Sequence, residues 1–319
     1  MKKTLTTISF CLLLAGAAQA AIWTWDGPNP ATSRWDQANW LEEDLITRST
    51  PASLDTTDLV FTNGTNNSSI TRNNWTVRSI TFDDTIGANG HIINIFRSAA
   101  FDRTLTFSAD SGNSSINITS GSIGDISIIG AMGSTRNGDI SLGSSLDIVH
   151  EGTGTLTISA PMKGTNGFTK TGTGSLTLSG VNTYTGNTVI NGGAVTLSDN
   201  AELLFQIGAT AINNEVSGNG IANFNGEFRF DLAAAGTTVG DAWQIVDVTT
   251  LTETFSSTFS ALTTNGSFTE SGDEWTIYEN SVGYEFSELT GMLTVIPEPS
   301  TSALLLGGIS MLALRRRRN

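Results

Sequence analysis

Charge, cysteine and histidine are all scarce in this chain of 319 residues. Only 14% of the residues are charged, and sixteen Lys and Arg stand against thirty Asp and Glu, a formal net charge of −14. Proteins that bind phosphate backbones rely on surplus cations, so nucleic acid is excluded as a partner. The low charge, together with the absence of any convincing amphipathic helical pattern, also argues against a helix-rich enzyme.

The single cysteine, Cys11, lies inside an N-terminal apolar run from Phe10 to Ala18. Two lysines precede that run, which ends at Ala18-Gln19-Ala20 before Ala21. A basic start, a short apolar centre and small residues at the end are the three parts of a secretory signal peptide. We therefore expect signal peptidase to cut after Ala20. The mature chain would then have no cysteine for disulfides, thiolate metal sites or nucleophilic catalysis.

The C-terminal end combines a proline motif, an apolar segment and an arginine cluster. Pro297, Glu298 and Pro299 come first, and positions 301–314 carry no charge; the cluster is Arg315, Arg316, Arg317 and Arg318. About fourteen apolar and small residues are few for a membrane-spanning helix, yet arginines can hold such a segment on the cytoplasmic side. The pattern predicts a transient inner-membrane anchor.

In this order and at this end of the chain, the three parts resemble the PEP-CTERM sorting signal. The resemblance covers residues 297–319. It implies a Gram-negative bacterium that makes exopolysaccharide. It also implies that exosortase, a membrane transpeptidase, cuts near the motif and passes the protein to the outer surface or the extracellular matrix. The alternative is a plain C-terminal anchor, in which two prolines two residues apart would serve no purpose.

Between the two ends, short segments with apolar residues at every second position recur, bounded by Gly, Asn, Asp or Ser. This pattern predicts an all-β protein. Leu156, Leu176 and Val195 are 20 and 19 residues apart, and Ile126 precedes Leu146 by 20. A fixed spacing near twenty predicts a solenoid, here a parallel β-helix, whose coils stack on one another. An antiparallel hairpin sandwich is the alternative, because strands about ten residues apart also suit a meander.

Residues 168–195 resemble the autotransporter-associated β-strand repeat. They contain its Lys-x-Gly-x-Gly run at 170–174, Leu-x-Leu at 176–178 and the Asn-x-Tyr-x-Gly segment at 182–186. A degenerate fragment of another copy lies at 151–160. In that family the repeat forms a right-handed β-helix in long extracellular proteins, so the resemblance implies a right-handed parallel β-helix here.

The chain therefore divides into five expected regions. Residues 1–20 form the signal peptide, 21–100 a tryptophan-rich N-terminal β cap, 101–200 the β-solenoid, 201–296 a C-terminal β module and 297–319 the sorting signal. The boundary at 201 reflects a loss of the glycine-threonine turn rhythm. The C-terminal region is either a separate module or a broad cap, since a solenoid needs its exposed ends covered.

Four of the seven tryptophans lie near the predicted mature N-terminus: Trp23, Trp25, Trp35 and Trp40. Amphipathic rings in such a cluster are a candidate glycan-binding platform. The alternative, which we favour, is that they plug the first coil, because an uncovered apolar end would be costly.

No catalytic or metal site is predicted, and no cofactor. A β-helix polysaccharide lyase or hydrolase would recruit a carboxylate cluster with a base, and the candidates are Asp125, Asp139, Asp147 and Glu151 with Lys163 or Lys170. None of these pairs has a recognisable catalytic spacing. His91 and His150 are the only histidines and lie far apart in the sequence, so a zinc site or a serine-histidine triad is not indicated.

Taken together, the sequence predicts an exported, non-enzymatic surface or exopolysaccharide-matrix protein, structural or adhesin-like, with signal peptidase and exosortase as processing partners. A glycan-binding module is the alternative, and an enzyme acting on polysaccharide a weaker one. The body from 21 to 296 contains 29 acids and 10 bases. Such a surface repels anionic polymers unless divalent cations bridge them, so a neutral exopolysaccharide or a calcium-dependent contact is the partner to test first.

Overall fold

The protein is described here from a computed structural model, in which the described residues are 21–25, 34–37, 39–41, 48–62, 68–83, 90–95, 102–130 and 138–298. Several predicted processing residues lie outside these ranges, namely Ala18, Ala20, Pro299 and the four arginines from 315 to 318. Ala21 is described and is the first residue of the first strand.

Most strands form three parallel stacks that run the length of the molecule. The first stack contains β1 (Ala21–Trp25), β4 (Thr57–Thr62), β7 (Ser79–Asp83), β10 (Ser114–Ile118), β13 (Leu146–His150), β16 (Phe168–Thr171), β19 (Thr188–Ile190) and β22 (Val216–Gly218). Two short antiparallel strands, β2 (Trp40–Leu41) and β3 (Arg48–Ser49), extend it beyond β1.

The second stack contains β5 (Ser68–Thr71), β8 (His91–Ile95), β11 (Ile126–Gly130), β14 (Thr155–Ile158), β17 (Ser175–Leu178), β20 (Ala194–Leu197), β23 (Ile221–Phe224) and β26 (Thr252–Phe255). The third is divided into two sheets. One contains β6 (Trp75–Val77), β9 (Thr104–Phe107), β12 (Asp139–Leu142) and β15 (Met162–Lys163); the other contains β18 (Val181–Asn182), β21 (Glu202–Gln206), β24 (Glu227–Asp231) and β27 (Ser260–Leu262).

Successive strands of the chain belong to successive stacks, so each set of three makes one coil. Side chains alternate along each strand, and the inward positions form a continuous apolar core, as in β14, where Leu156 and Ile158 are fully buried between half-buried threonines. The parallel pairing stacks the inward residues of each coil on those of the next and confirms the prediction of an all-β parallel β-helix.

The predicted register is right in one place and wrong in another. Leu156 pairs with Leu176, and Leu176 with Val195, so the spacing near twenty does mark one coil there. Ile126 pairs with Leu156 rather than Leu146, which lies in the first stack opposite Phe168. The prediction for Ile126 fails because that coil is longer, so a strand of another stack lies twenty residues away.

The parallel stacks also extend beyond the region assigned to the solenoid, residues 101–200. Strands β1 and β4 to β8, within 21–100, already pair in parallel, and β26 and β27 continue the stacks as far as Leu262. Beyond 200 many inward positions are filled by phenylalanines, and Phe224 is paired to Leu197. Longer connections between strands, rather than a change of fold, remove the twenty-residue rhythm.

The C-terminal end of the solenoid is covered by an antiparallel sheet. Its strands are β25 (Ala242–Gln244), β28 (Thr269–Ser271), β29 (Glu274–Glu279), β30 (Val282–Ser287) and β31 (Met292–Ile296), in the order β25-β31-β30-β29-β28. Phe286 of β30 is fully buried, with its ring 5.8 Å from Phe228 and 6.1 Å from Phe259. The sheet therefore shares its core with the last coils.

Candidate functional site

The repeat segment places a lysine inside the core. Lys170 occupies an inward position of β16, between Ile148 and Ile190, and is 0% exposed. Its Nζ donates hydrogen bonds to the carbonyl oxygens of Thr171 at 2.7 Å, Gly172 at 3.0 Å and Gly192 at 3.3 Å. An ammonium group has three protons to donate, so all of them are used. Lys170 thus ties two successive coils together at this corner.

The two glycines of the Lys-x-Gly-x-Gly run have separate steric roles at the same corner. Gly172 has a φ of 77°, a conformation that side chains disfavour, and its carbonyl reaches Lys170. At Gly174 a Cβ atom would lie 2.1 Å from Nδ1 of His150, whose ring is buried. The motif is therefore explained by packing around a buried lysine and a buried histidine.

Burial lowers the pKa of both Lys170 and His150. It lowers the pKa of Lys170 to about 8, an effect that the nearby carboxylate of Glu151 opposes. Burial first and Lys170 second lower the pKa of His150 below its usual range. Neither side chain has a face toward solvent, so the corner is suited to holding coils together and unsuited to binding substrate.

Asn182 and Tyr184 complete the repeat on the inside of the coil. The Asn182 amide accepts a bond from the Met162 backbone N–H at 3.2 Å and donates to the carbonyls of Gly180 at 2.9 Å and Glu202 at 3.1 Å. The Tyr184 hydroxyl lies 2.6 Å from Oγ1 of Thr188, and burial raises its pKa. These polar groups serve three consecutive coils and are fully paired.

The tryptophans near the N-terminus are mostly core residues. Trp25, Trp35 and Trp40 are at most 1% exposed, and Trp23 is half-buried. The ring centroids of Trp25 and Trp40 are 4.9 Å apart, and those of Trp35 and Trp40 are 5.8 Å apart. Three of the four rings are buried and offer no face to a sugar, so their packing favours a plug of the first coil over a glycan-binding platform.

The acidic residues considered for catalysis lie apart from one another. Asp147 is on the first stack and Asp139 on the third, whereas Asp125 immediately precedes β11 of the second. Asp139 is 2.6 Å from the Nζ of Lys163, and Asp125 accepts a bond from the Thr155 backbone N–H at 2.8 Å. These three carboxylates have local structural partners, and that of Asp147 is the Asn113 amide, at 3.1 Å. Glu151 follows β13 and lies near Lys170, which is buried and already paired with three carbonyls. The candidates therefore do not form the carboxylate cluster with a free base that the enzyme hypothesis requires.

His91 is also part of the core. Its Nε2 is 3.1 Å from the Oγ of Ser69, its ring is 4.4 Å from that of Phe61, and burial lowers its pKa to about 4. Among the described residues, no three His, Cys, Asp or Glu side chains group together as metal ligands would. The sequence could not indicate that His91 is buried, because a lone histidine carries no pattern.

A polar cavity of about 290 Å³ lies between the end of the solenoid and the C-terminal sheet. Its lining includes Asp231, Glu279 and Tyr284. The Glu279 carboxylate accepts hydrogen bonds from the Thr263 hydroxyl and from the Asn265 amide at 3.2 Å. These contacts hold the sheet against the last coil, and no pattern in the sequence indicates them.

Only part of the predicted sorting signal can be placed. Pro297 and Glu298 directly follow β31 and are exposed, as a site of cleavage requires. Within the ranges that the structure describes, no helix is long and apolar enough to cross a membrane. The apolar segment at 301–314 lies outside those ranges.

Comparison with known proteins identifies the repeat independently. The Passenger-associated-transport-repeat family matches residues 168–197, the segment that contains Lys170, Asn182 and Tyr184. The chain is also similar to the Adhesin BmaC autotransporter of Brucella suis biovar 1 (strain 1330), with 40% identity over 78 residues. That alignment covers 24% of this chain and 2% of the relative, so the chain spans only a small part of the relative's length. No solved structure matches the chain.

Proposed function

We propose that this chain is an exported structural or adhesin-like protein of the cell surface or extracellular matrix. The observation that carries the proposal is the repeat at 168–197, which is shared with passenger-associated proteins and is built here as a tightly paired coil of a β-helix. Similarity to an autotransporter adhesin supports the same role. The candidate carboxylates lie on different stacks, which favours binding or scaffolding over catalysis.

Processing is the finer part of the proposal. Signal peptidase would release the chain at Ala21, and exosortase would cut near Pro297 after a transient stay in the inner membrane. The exposed position of Pro297 and Glu298 after the last strand supports the second cleavage, because a protease needs an accessible segment. Removal of both ends leaves a body with 29 acids and 10 bases, suited to staying soluble outside the cell.

The test is mass spectrometry of the protein recovered from the producing bacterium after surface digestion and fractionation. We expect peptides from 21–296 in the surface or matrix fraction, with a new N-terminus at Ala21 and none containing Arg315. The double substitution Pro297→Ala with Pro299→Ala should keep the protein in the inner membrane. Recovery of surface protein that still carries Arg315 to Arg318 would refute the processing step. Confinement of the chain to the cytoplasm would refute the proposed function itself.

A further inference from the structure

On one face of the β-helix, the described strands carry no charge at their outward positions. The second stack has eight strands, and its central outward position in each strand forms a column, paired strand to strand: Ser68, Ile92, Ser127, Thr157, Thr177, Thr196, Asn223 and Thr254. At a strand spacing of about 4.8 Å, seven intervals give a column about 34 Å long. The flanking outward positions within these strands are also uncharged, for example Thr155 and Ser175.

The absence of charge is specific to this face. Outward positions of the first stack include Asp58 and Asp147, and those of the third include Asp139, Glu227 and Arg229. Among the described residues, charged side chains of this stack lie at its rim or off its outward positions: Asp125 precedes β11, Arg72 follows β5, and Arg34 forms an isolated bridge to Ile70. Glu253 of β26 occupies the position paired with the buried Ala222, which is an inward position. In a chain with a net charge of −14, a charge-free face suits a partner that is itself neutral.

The chemistry of the column combines hydroxyl groups with exposed methyl groups. Ile92 is 39% exposed and Ile221 is 44% exposed, both on this face. Toward the C-terminal end, Thr254 donates to Asn223 at 3.0 Å and Asn223 donates to Thr196 at 3.2 Å. By contrast, the hydroxyls of the central members, Ser127, Thr157 and Thr177, form no hydrogen bond to any described side chain or backbone group.

Rigidity is the remaining requirement for recognition of a repeating partner. Six of the eight strands that carry the column, from β8 to β23, have a parallel neighbour on both sides, and their inward residues, such as Leu156 and Leu176, are fully buried. The hydroxyl groups are therefore fixed at the strand repeat before any partner arrives, which limits the entropy lost on binding.

We propose that this face, the second-stack column, binds a neutral polysaccharide chain lying along the solenoid axis. A polyhydroxylated polymer matches each property of the face: it needs no counter-charge, its hydroxyls can pair with those of the central threonines, and its apolar ring faces can rest on Ile92 and Ile221. The proposal rests on the proposed function, since it names the partner of a surface or matrix protein.

The experiment measures retention of the purified full chain on cellulose, chitin and galactomannan, with alginate as an anionic comparison. The test variant is Thr157→Glu with Thr177→Glu, at two positions that pair directly across strands of the column. The matched control is Thr76→Glu with Thr106→Glu, because these threonines are also half-buried and directly paired, but on the third stack. A milder pair, Thr157→Val with Thr177→Val, removes only the hydroxyls and keeps the β-branched shape.

We expect the parent protein to be retained on at least one neutral polysaccharide. Retention should fall tenfold or more in the second-stack glutamate variant and by a smaller factor in the valine variant. In the control variant retention should change by less than twofold. Equal losses in both glutamate variants, retention on alginate alone, or no retention on any neutral polymer would each overturn the proposal. So would a dimer, seen by light scattering, that only the second-stack variant disrupts, since a second copy would then occupy the face.

Surface fractionation of the same variants separates failure of this inference from failure of the proposed function. A protein that reaches the surface but binds no glycan refutes only this inference.

Discussion

At the scale of single residues, His91 links the stability of the N-terminal coils to pH. Its pKa is lowered by burial from the ordinary value of 6.5 to about 4, so between these values the unfolded chain binds a proton that the folded chain does not. The contribution of the neutral His91 to folding stability is therefore complete above about pH 6.5 and is lost as the pH falls toward 4. Between pH 7 and pH 4.5, the titration of His91 lowers the unfolding free energy by about 2.5 kcal/mol.

The prediction is tested with His91→Gln, which cannot titrate in this range. Chemical denaturation at pH 7 and pH 4.5 should show a smaller loss of unfolding free energy in the variant than in the parent protein, by about 2.5 kcal/mol. The comparison of differences cancels the contribution of the carboxylates, which is common to both proteins. Equal losses would mean that His91 is hydrated or already paired as a cation in the folded state.

At the scale of the element, the repeat coil depends on Lys170 rather than on its glycines alone. Lys170→Met keeps an unbranched side chain in the core but leaves the carbonyls of Thr171, Gly172 and Gly192 without their donor. We expect a loss of more than about 2 kcal/mol in unfolding free energy, because three hydrogen bonds from a buried charged donor are lost together.

Lys163→Met is the matched control for this substitution. Lys163 is in the neighbouring strand β15 and pairs with Asp139, but its side chain is 47% exposed, so the loss should stay below about 1 kcal/mol. The unfolding free energies of both variants and of the parent protein are measured by urea denaturation under the same conditions. If the two losses were equal, the three-carbonyl contact of Lys170 would be contributing no more than a surface ion pair.

The elements also show what a sequence can and cannot reveal about this fold. The alternation in β14 and β17 and the repeat of Leu156 at Leu176 suffice to predict stacked strands, because a buried position that stacks on its equivalent recurs once in each coil. Where a coil lengthens, as between Ile126 and Leu156, the period is lost although the pairing continues. The uncharged face is equally hidden, since its members become neighbours only through register.

At the scale of the whole molecule, stability depends on how the last coils are closed. Phe286 of the C-terminal sheet is 0% exposed and packs on phenylalanines of β24 and β26, with Phe255 at 5.9 Å. Phe286→Ala should lower the unfolding free energy by about 3 to 5 kcal/mol, because it leaves a cavity at a junction that fixed strands cannot fill.

Tyr278→Ala provides the comparison within the same sheet. Tyr278 is 49% exposed, so its removal should cost less than about 1 kcal/mol. Thermal unfolding followed by circular dichroism measures both variants. The interpretation of the sheet as a cap sharing the solenoid core would be contradicted if Phe286→Ala unfolded at the same temperature as the parent while Tyr278→Ala did not.

The route of the chain through this cap sets an order of assembly. Strand β25 leaves the solenoid at 242–244, the chain then returns to build β26 and β27, and β25 finds its partner only in β31, with Trp243 opposite Leu293. A chain emerging N-terminus first can therefore stack its early coils while its final fifty or so residues are still to come. The last strand, β31, completes the cap by pairing with β25. The C-terminal end of the solenoid therefore becomes closed and resistant to proteases only after the whole chain has emerged.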